Sequence, residues 1–351
     1  MAGLGSPLLV LIFVAASAAT WVAGVALSKT TDALDARFGL GDELGGLILL
    51  AVAGSLPELA ITISAAASGN LALAAGNLIG GIAMQTMVLL VCDFAVGPSR
   101  PLTYLVGRLT PVLEGLLVIL VVAGVEMGAL LKPSTAIGGR VSPASLGIVV
   151  VWVVGLYAIN RAAKDPRWSI SMPGSRPGRH RAEKRQEPAH PYAGASTARV
   201  ATVFGVACAV TLAAGVALEE SGSELANRMG INGVIFGATI LAGATALPEI
   251  SSGIAAVRLG DHALAMGDVF GGNAFQVCLF LVADLVAGSP VLPSAGNLNA
   301  WLAALGVALT AVYGFGVISR PMHTRFRLGP DSLLALALFG LGIAGLFYVP
   351  H

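Results

Sequence analysis

Two stretches of this chain carry the same interruption of an otherwise apolar run. Residues 54–60 read Gly-Ser-Leu-Pro-Glu-Leu-Ala, and residues 245–251 read Thr-Ala-Leu-Pro-Glu-Ile-Ser. A carboxylate and a helix breaker are both costly in an apolar medium. A chain that sets them side by side twice, 191 residues apart, holds a duplicated unit with a use for both.

Composition identifies the medium. Of 351 residues, 56% are hydrophobic and only 11% charged, with a mean hydropathy of +0.84. Soluble domains carry about 25% charged residues, so this is an all-α integral membrane protein. A helix needs about 20 apolar residues to cross a bilayer. Ten stretches qualify: 7–28, 44–67, 71–93, 108–131, 145–161, 199–218, 232–257, 263–286, 298–319 and 331–349. The first has an Ala-rich end but no basic residues before it, so it reads as a helix and not as a leader peptide.

The residues that would signal an enzyme are missing. Cys92, Cys208 and Cys278 lie in apolar runs with no metal or redox spacing, and read as small buried hydrophobes. All five histidines (His180, His190, His262, His323, His351) fall in expected loops or at the terminus. No HExxH, Cys-x-x-Cys, GxSxG or phosphate-binding loop occurs. Neither an enzyme nor a bound cofactor is expected, and the net charge of +1 gives no reason to expect a nucleic-acid partner.

Residues 162–198 break the pattern. They hold five prolines and a basic run that includes Arg176, Arg179, Arg181, Lys184 and Arg185, the composition of a solvated linker. The linker separates a first five-helix repeat, 1–161, from a second, 199–351. Basic residues collect on the cytoplasmic face of a membrane protein. With the linker cytoplasmic and both termini outside, every Lys and Arg except Lys132, Arg140 and Arg228 falls on the cytoplasmic side. A cell-membrane location is expected, with lipid as the surrounding partner and no obligate protein partner. Because five is odd, the second unit enters the membrane from the opposite side. The expected fold is therefore ten transmembrane helices in two inverted five-helix repeats, with interrupted helices at the midplane. That design characterises secondary transporters.

The two copies align without a gap. Pro57 falls on Pro248, Glu58 on Glu249, Asn77 on Asp268 and Gln85 on Gln276, with Gly76, Gly80 and Gly81 on Gly267, Gly271 and Gly272. A proline lacks the N–H that would bond the carbonyl four residues earlier. Pro57 therefore frees the Ala53 carbonyl, and Pro248 that of Ala244. Carboxylates, carbonyls and a side-chain amide form an oxygen cage suited to Ca2+ or Na+ and unsuited to soft metals. Asp93, Asp284 and Glu126 lie toward span ends and read as solvated. Glu114 lies deeper, and reads as structural, as a partner of Arg108 or as a proton relay.

With these motifs in place, both copies resemble the alpha-repeats of the sodium/calcium exchanger family of cation/Ca2+ antiporters. That family has Gly-Thr/Ser-Ser-Leu-Pro-Glu on one helix and Gly-Asn/Asp-x-x-Gly-Ser-Asn on the next. The resemblance is strongest over 51–86 and 242–277. It implies that Glu58 and Glu249 are central acidic ligands, Asn77 and Asp268 lateral ligands, and Ser55 and Thr245 coordinating hydroxyls. The chain departs from the pattern where sodium would bind. Each copy keeps one of two adjacent hydroxyls, in Gly54-Ser55 and Thr245-Ala246. Leu73 and Leu264 stand where a hydroxyl often serves Na+, and Gly80-Gly81-Ile82 replaces Gly-Ser-Asn.

The resulting expectation is an antiporter that exchanges Ca2+ or a related cation against Na+ or H+ by alternating access. Close carboxylates cannot all stay ionised without a cation, so loss of one cation is tied to a proton or another cation. Other readings are a proton-coupled or monovalent exchanger, a membrane-embedded hydrolase using the glutamates as an acid dyad, and a passive channel.

Overall fold

The computed structural model of the chain describes residues 1, 3–38, 52–164, 192 and 194–350. Among them, every named element is helical. In order these are α1 (Ser6–Phe38), α2 (Leu56–Ala67), α3 (Leu71–Thr86), α4 (Val88–Val96), α5 (Thr110–Ala129), α6 (Pro143–Lys164) and α7 (Thr197–Met229). They continue with α8 (Gly233–Thr245), α9 (Leu247–Arg258), α10 (His262–Gln276), α11 (Leu279–Ala287), α12 (Asn297–Ser319) and α13 (Pro330–Gly345). Helices α3 and α4 form one span, Leu71–Val96, and α10 and α11 another, His262–Ala287.

Among the described residues, eight helices or helix pairs are long and apolar enough to cross a membrane, and α8 with α9 makes a ninth, bent by 45°. The expected span 44–67 is described only from residue 52, so its first third lies outside the described residues. So does most of the 162–198 linker, with its five prolines and the basic run 176–185. Helix α6 continues to Lys164, three residues into that expected linker.

The element boundaries repeat as the sequence does. At an offset of 191 residues, α1 coincides with α7, α2 with α9 and α4 with α11, and α3 coincides with α10 to within one residue at its end. Helices α1 and α7 are 33 residues each, about 50 Å at 1.5 Å per residue. That exceeds a bilayer core of about 30 Å, so both must tilt or project beyond it. Helix α7 starts at Ser196, whose Oγ accepts from the Arg199 N–H, and stops at Gly230 in the left-handed conformation (φ 65°).

Packing is reciprocal between the halves. Helix α1 lies along α7, and also against α9, while α7 lies against α2. Helix α12 packs on α3 and α5 packs on α10; α9 meets α4 and α11 meets α2. Each contact has its counterpart when the halves are exchanged.

Asp93 and Asp284 are buried, contrary to the solvated position expected for them (1% and 0% exposed). The Asp93 carboxylate accepts from the Leu102 N–H (2.6 Å) and the Gly329 N–H (2.7 Å). That of Asp284 accepts from the Val291 N–H (2.7 Å) and the Ser142 N–H (2.9 Å). A carboxylate that satisfies two loop amides is stable in the interior, which a hydropathy window cannot register.

Candidate cation site

The two Leu-Pro-Glu breaks form the centre of the molecule. Pro248 follows the bend between α8 and α9, with Ala246 at the hinge (φ −78°, ψ −3°). Pro57 stands at the start of α2 after Ser55 (φ −95°, ψ 17°). Proline suits the first turn of a helix, where its missing N–H is not needed. Each following glutamate sits in that first turn, where the helix dipole favours negative charge.

The structure brings most of the expected residues together. Glu58 is 1% exposed, and its Oε1 accepts from Gln85 Nε2 at 3.0 Å. Thr245, from the other break, places its hydroxyl beside Glu58 and also donates to the Ala242 carbonyl (3.2 Å). Glu249 lies within electrostatic reach of both Glu58 and Asp268. Asp268 Oδ2 accepts from the Ser252 hydroxyl at 2.7 Å. Asn77 is fully buried, and neither of its side-chain polar atoms has a partner. One oxygen each of Glu58 and Glu249 is likewise buried and unpartnered. Leaving such a group unsatisfied costs about 1–3 kcal/mol, more when it is charged, so this donor set fits a hard cation.

A cavity of about 340 Å3 opens from this centre. Ala53, Ser55, Glu249 and Asp268 line it; its mouth is ringed by exposed Arg108, Ala163 and Leu264. Ala244 and Asn77 are buried and do not line it, and neither does Leu73, which packs at 0% exposure among apolar residues of α1, α7 and α8. The expectation that Leu73 and Leu264 share the pocket is therefore corrected: only Leu264 touches it, at the rim. Among the described residues, no three His, Cys, Asp or Glu side chains converge closely enough to hold one ion between them. In this conformation the Asp268 carboxylate is held by the Ser252 hydroxyl.

Three polar residues at the centre, Ser252, Gln85 and Gln276, have no role assigned from the sequence. Ser252 lies three residues after Glu249, on the same helical face, which was the available signal. Its counterpart in the first copy is Ile61, so the repeat comparison hid it. Gln85 and Gln276 were seen to align, but they act differently: Gln276 Nε2 donates to the backbone carbonyls of Leu78 (2.8 Å) and Asn77 (3.3 Å). Glu114 lines the cavity beside Asp268.

The far side of the centre is shut. A Cβ at Gly76 would meet the Val234 backbone at 2.6 Å, and one at Gly237 would meet the Asn77 nitrogen at 2.9 Å. Helix α8 thus lies directly on α3, over Asn77.

Comparison with known proteins agrees with this fold. The profile of the sodium/calcium exchanger protein family matches residues 8–160 and 199–349. Inner membrane protein YrbG of Escherichia coli (strain K12) is 24% identical over 263 residues, 75% of this chain and 73% of the relative. Putative antiporter CaxA of Alkalimonas amylolytica is 25% identical over 250 residues, 71% and 72% of the two chains. In fold, the chain is similar to the H+/Ca2+ exchanger CAX (TM-score 0.68, 16% identity, 98% of this chain and 82% of the other). It is also similar to the sodium-calcium exchanger NCX_Mj (TM-score 0.59, 15% identity, 97% and 99%). The family and the two solved exchangers are transporters and not enzymes, so the acid-dyad reading gives way to cation/Ca2+ antiport in an integral multi-pass membrane protein. The chain belongs to the sodium/calcium exchanger protein family.

Proposed function

We propose that this protein is a secondary-active antiporter that moves Ca2+, or a cation of similar hardness, against H+ or Na+. The observation that carries the reading is the meeting of Glu58 and Glu249 at two helix breaks, each with a buried, unpartnered oxygen. In this reading Glu58 and Glu249 are the central ligands. Asn77 and Asp268 bind from the sides, Ser55 and Thr245 add hydroxyls, and the Ala53 and Ala244 carbonyls complete the oxygen set. Bound cation takes the place of the hydrogen-bond partners these atoms lack.

The coupling follows from competition. Proton and metal need the same oxygens, so entry of one favours release of the other. Neutral oxygens that would single out Na+ are few, since Leu73 is packed away and Gly54 has no hydroxyl. H+ is therefore the favoured counter-ion, with Na+ as the alternative. The ten-span layout, with the segment before Pro57 as the counterpart of α8, makes the halves inverted repeats, 1–161 and 199–351, joined by a cytoplasmic linker. The cavity mouth beside Arg108 then faces the cytoplasm and the Arg228 end faces outward, in a cell membrane.

The test is Ca2+ uptake into proteoliposomes. A pH gradient alone should drive uptake, and removing Na+ should leave it unchanged. Glu58→Gln and Glu249→Gln should each abolish it. Uptake that persists in both variants would overturn the site, and a strict Na+ requirement would overturn proton coupling.

A further inference from the structure

Helix α7 carries a second membrane-depth carboxylate that the site does not use. Glu219 is 3% exposed, and its Oε2 accepts from Ser64 Oγ of α2 at 2.8 Å. One turn earlier, Gly215 lets α7 close on α2; a Cβ there would meet Ala60 Cβ at 2.6 Å and the Pro57 carbonyl at 3.0 Å. One turn later, Ser223 Oγ accepts from Asn70 Nδ2 at 2.8 Å. Polar groups thus follow the α2–α7 seam from Pro57 and Glu58 toward the end of α7 that bears Arg228. Beside Glu58 on α2, the Thr62 hydroxyl is fully buried and has no partner.

The repeat says what this seam corresponds to. At the 191-residue offset Gly215 matches Gly24, which packs on Pro248, and Glu219 matches Ser28. Gly24 and Ser28 both line the cavity that leads to Glu249. By the repeat, the tightly packed α2–α7 seam is the counterpart of the α1–α9 wall of that cavity. A buried carboxylate with a hydroxyl as its hydrogen-bond donor is expensive to keep. Contact with a cation or with water would offset that cost.

Resting on the antiport reading, we propose that Glu219 lines the second access route, on the side of Arg228, and attracts the hard cation on its way to Glu58. The route on the Arg108 side has Ser28 at that position, so the two entrances differ in charge and in apparent affinity. Glu219 is a positioning residue for the arriving ion, not one of the central ligands.

The experiment is sided Ca2+ transport, with full-length protein in vesicles of both orientations. For Glu219→Gln, the half-saturating Ca2+ offered from the Arg228 side should rise about tenfold, the scale of a lost focusing charge. From the Arg108 side it should stay within twofold of wild type. Glu219→Ser, which installs the counterpart's side chain, should do the same and covers a poorly folding Gln variant. Ser28→Glu should lower the half-saturating Ca2+ from the Arg108 side only. Shifts equal on both sides, or absent on both, overturn the inference while leaving the antiport reading intact. A wild type that moves no Ca2+ from either side overturns both.

Discussion

Asp93 and Asp284 occupy equivalent positions in the two halves, and each clasps the loop that leads into the other half's last helix. Asp93 holds Gly329, immediately before α13; Asp284 holds Ser142, immediately before α6. Each also pins the loop after its own span, through Leu102 and Val291. Of the four bonds to these two buried carboxylates, two cross-link the ends of the halves and two pin loops within a half.

Replacing either acid by Asn leaves one acceptor where two amides need partners. Asp93→Asn and Asp284→Asn should each cost about 2 kcal/mol, the scale of a hydrogen bond to a charged group. Thermal unfolding in detergent checks this. The cation affinity of the surviving folded protein should stay near wild type.

The passing points of the long helices are equally specific. A Cβ on Gly24 would lie 2.5 Å from Pro248 Cγ, so one partner must move. Gly24→Ala and Gly215→Ala should cost about 1–3 kcal/mol through overpacking. They should also slow transport more than they weaken equilibrium Ca2+ binding, because the long helices must move past the breaks. Uptake rates and calorimetric binding on the same preparations separate the two effects.

Ser252 fixes the lateral carboxylate. Losing a hydrogen bond of about 1 kcal/mol corresponds to roughly fivefold in affinity. Ser252→Ala should therefore weaken Ca2+ binding by about that factor. Ser252→Thr, which keeps the hydroxyl, should restore it. Titration of solubilised protein with Ca2+ reads both.

Filling the centre should stabilise the fold. A ligand at 100 times its dissociation constant adds about 2.7 kcal/mol, so Ca2+ should raise the midpoint of thermal unfolding of the wild type. In Glu58→Gln the shift should vanish, since the remaining oxygens no longer balance the ion. An unchanged Ca2+ response in that variant would place the ion elsewhere.

Legibility followed the scale of each interaction. The repeated Leu-Pro-Glu, the apolar runs and the Asn77/Asp268 pair could be read directly, because a proline, a charge and a helical period act within a few residues. Ser252 and Glu219 escaped notice because their counterparts, Ile61 and Ser28, break the repeat. Asp93 and Asp284 were misread because their partners are loop amides 7 to 236 residues away.

The sequence by itself determined an apolar, duplicated chain with a carboxylate at each helix break, since those features follow from local composition and backbone chemistry. Only the tertiary structure decided that Thr245 reaches across to Glu58 and that Asp268 turns to Ser252. It also decided that the cavity leads to Glu249 while α8 closes over Asn77. The two halves share a helical layout and the Leu-Pro-Glu break. Which face is open depends on how their helices pack against each other, and that is a property of long-range contact.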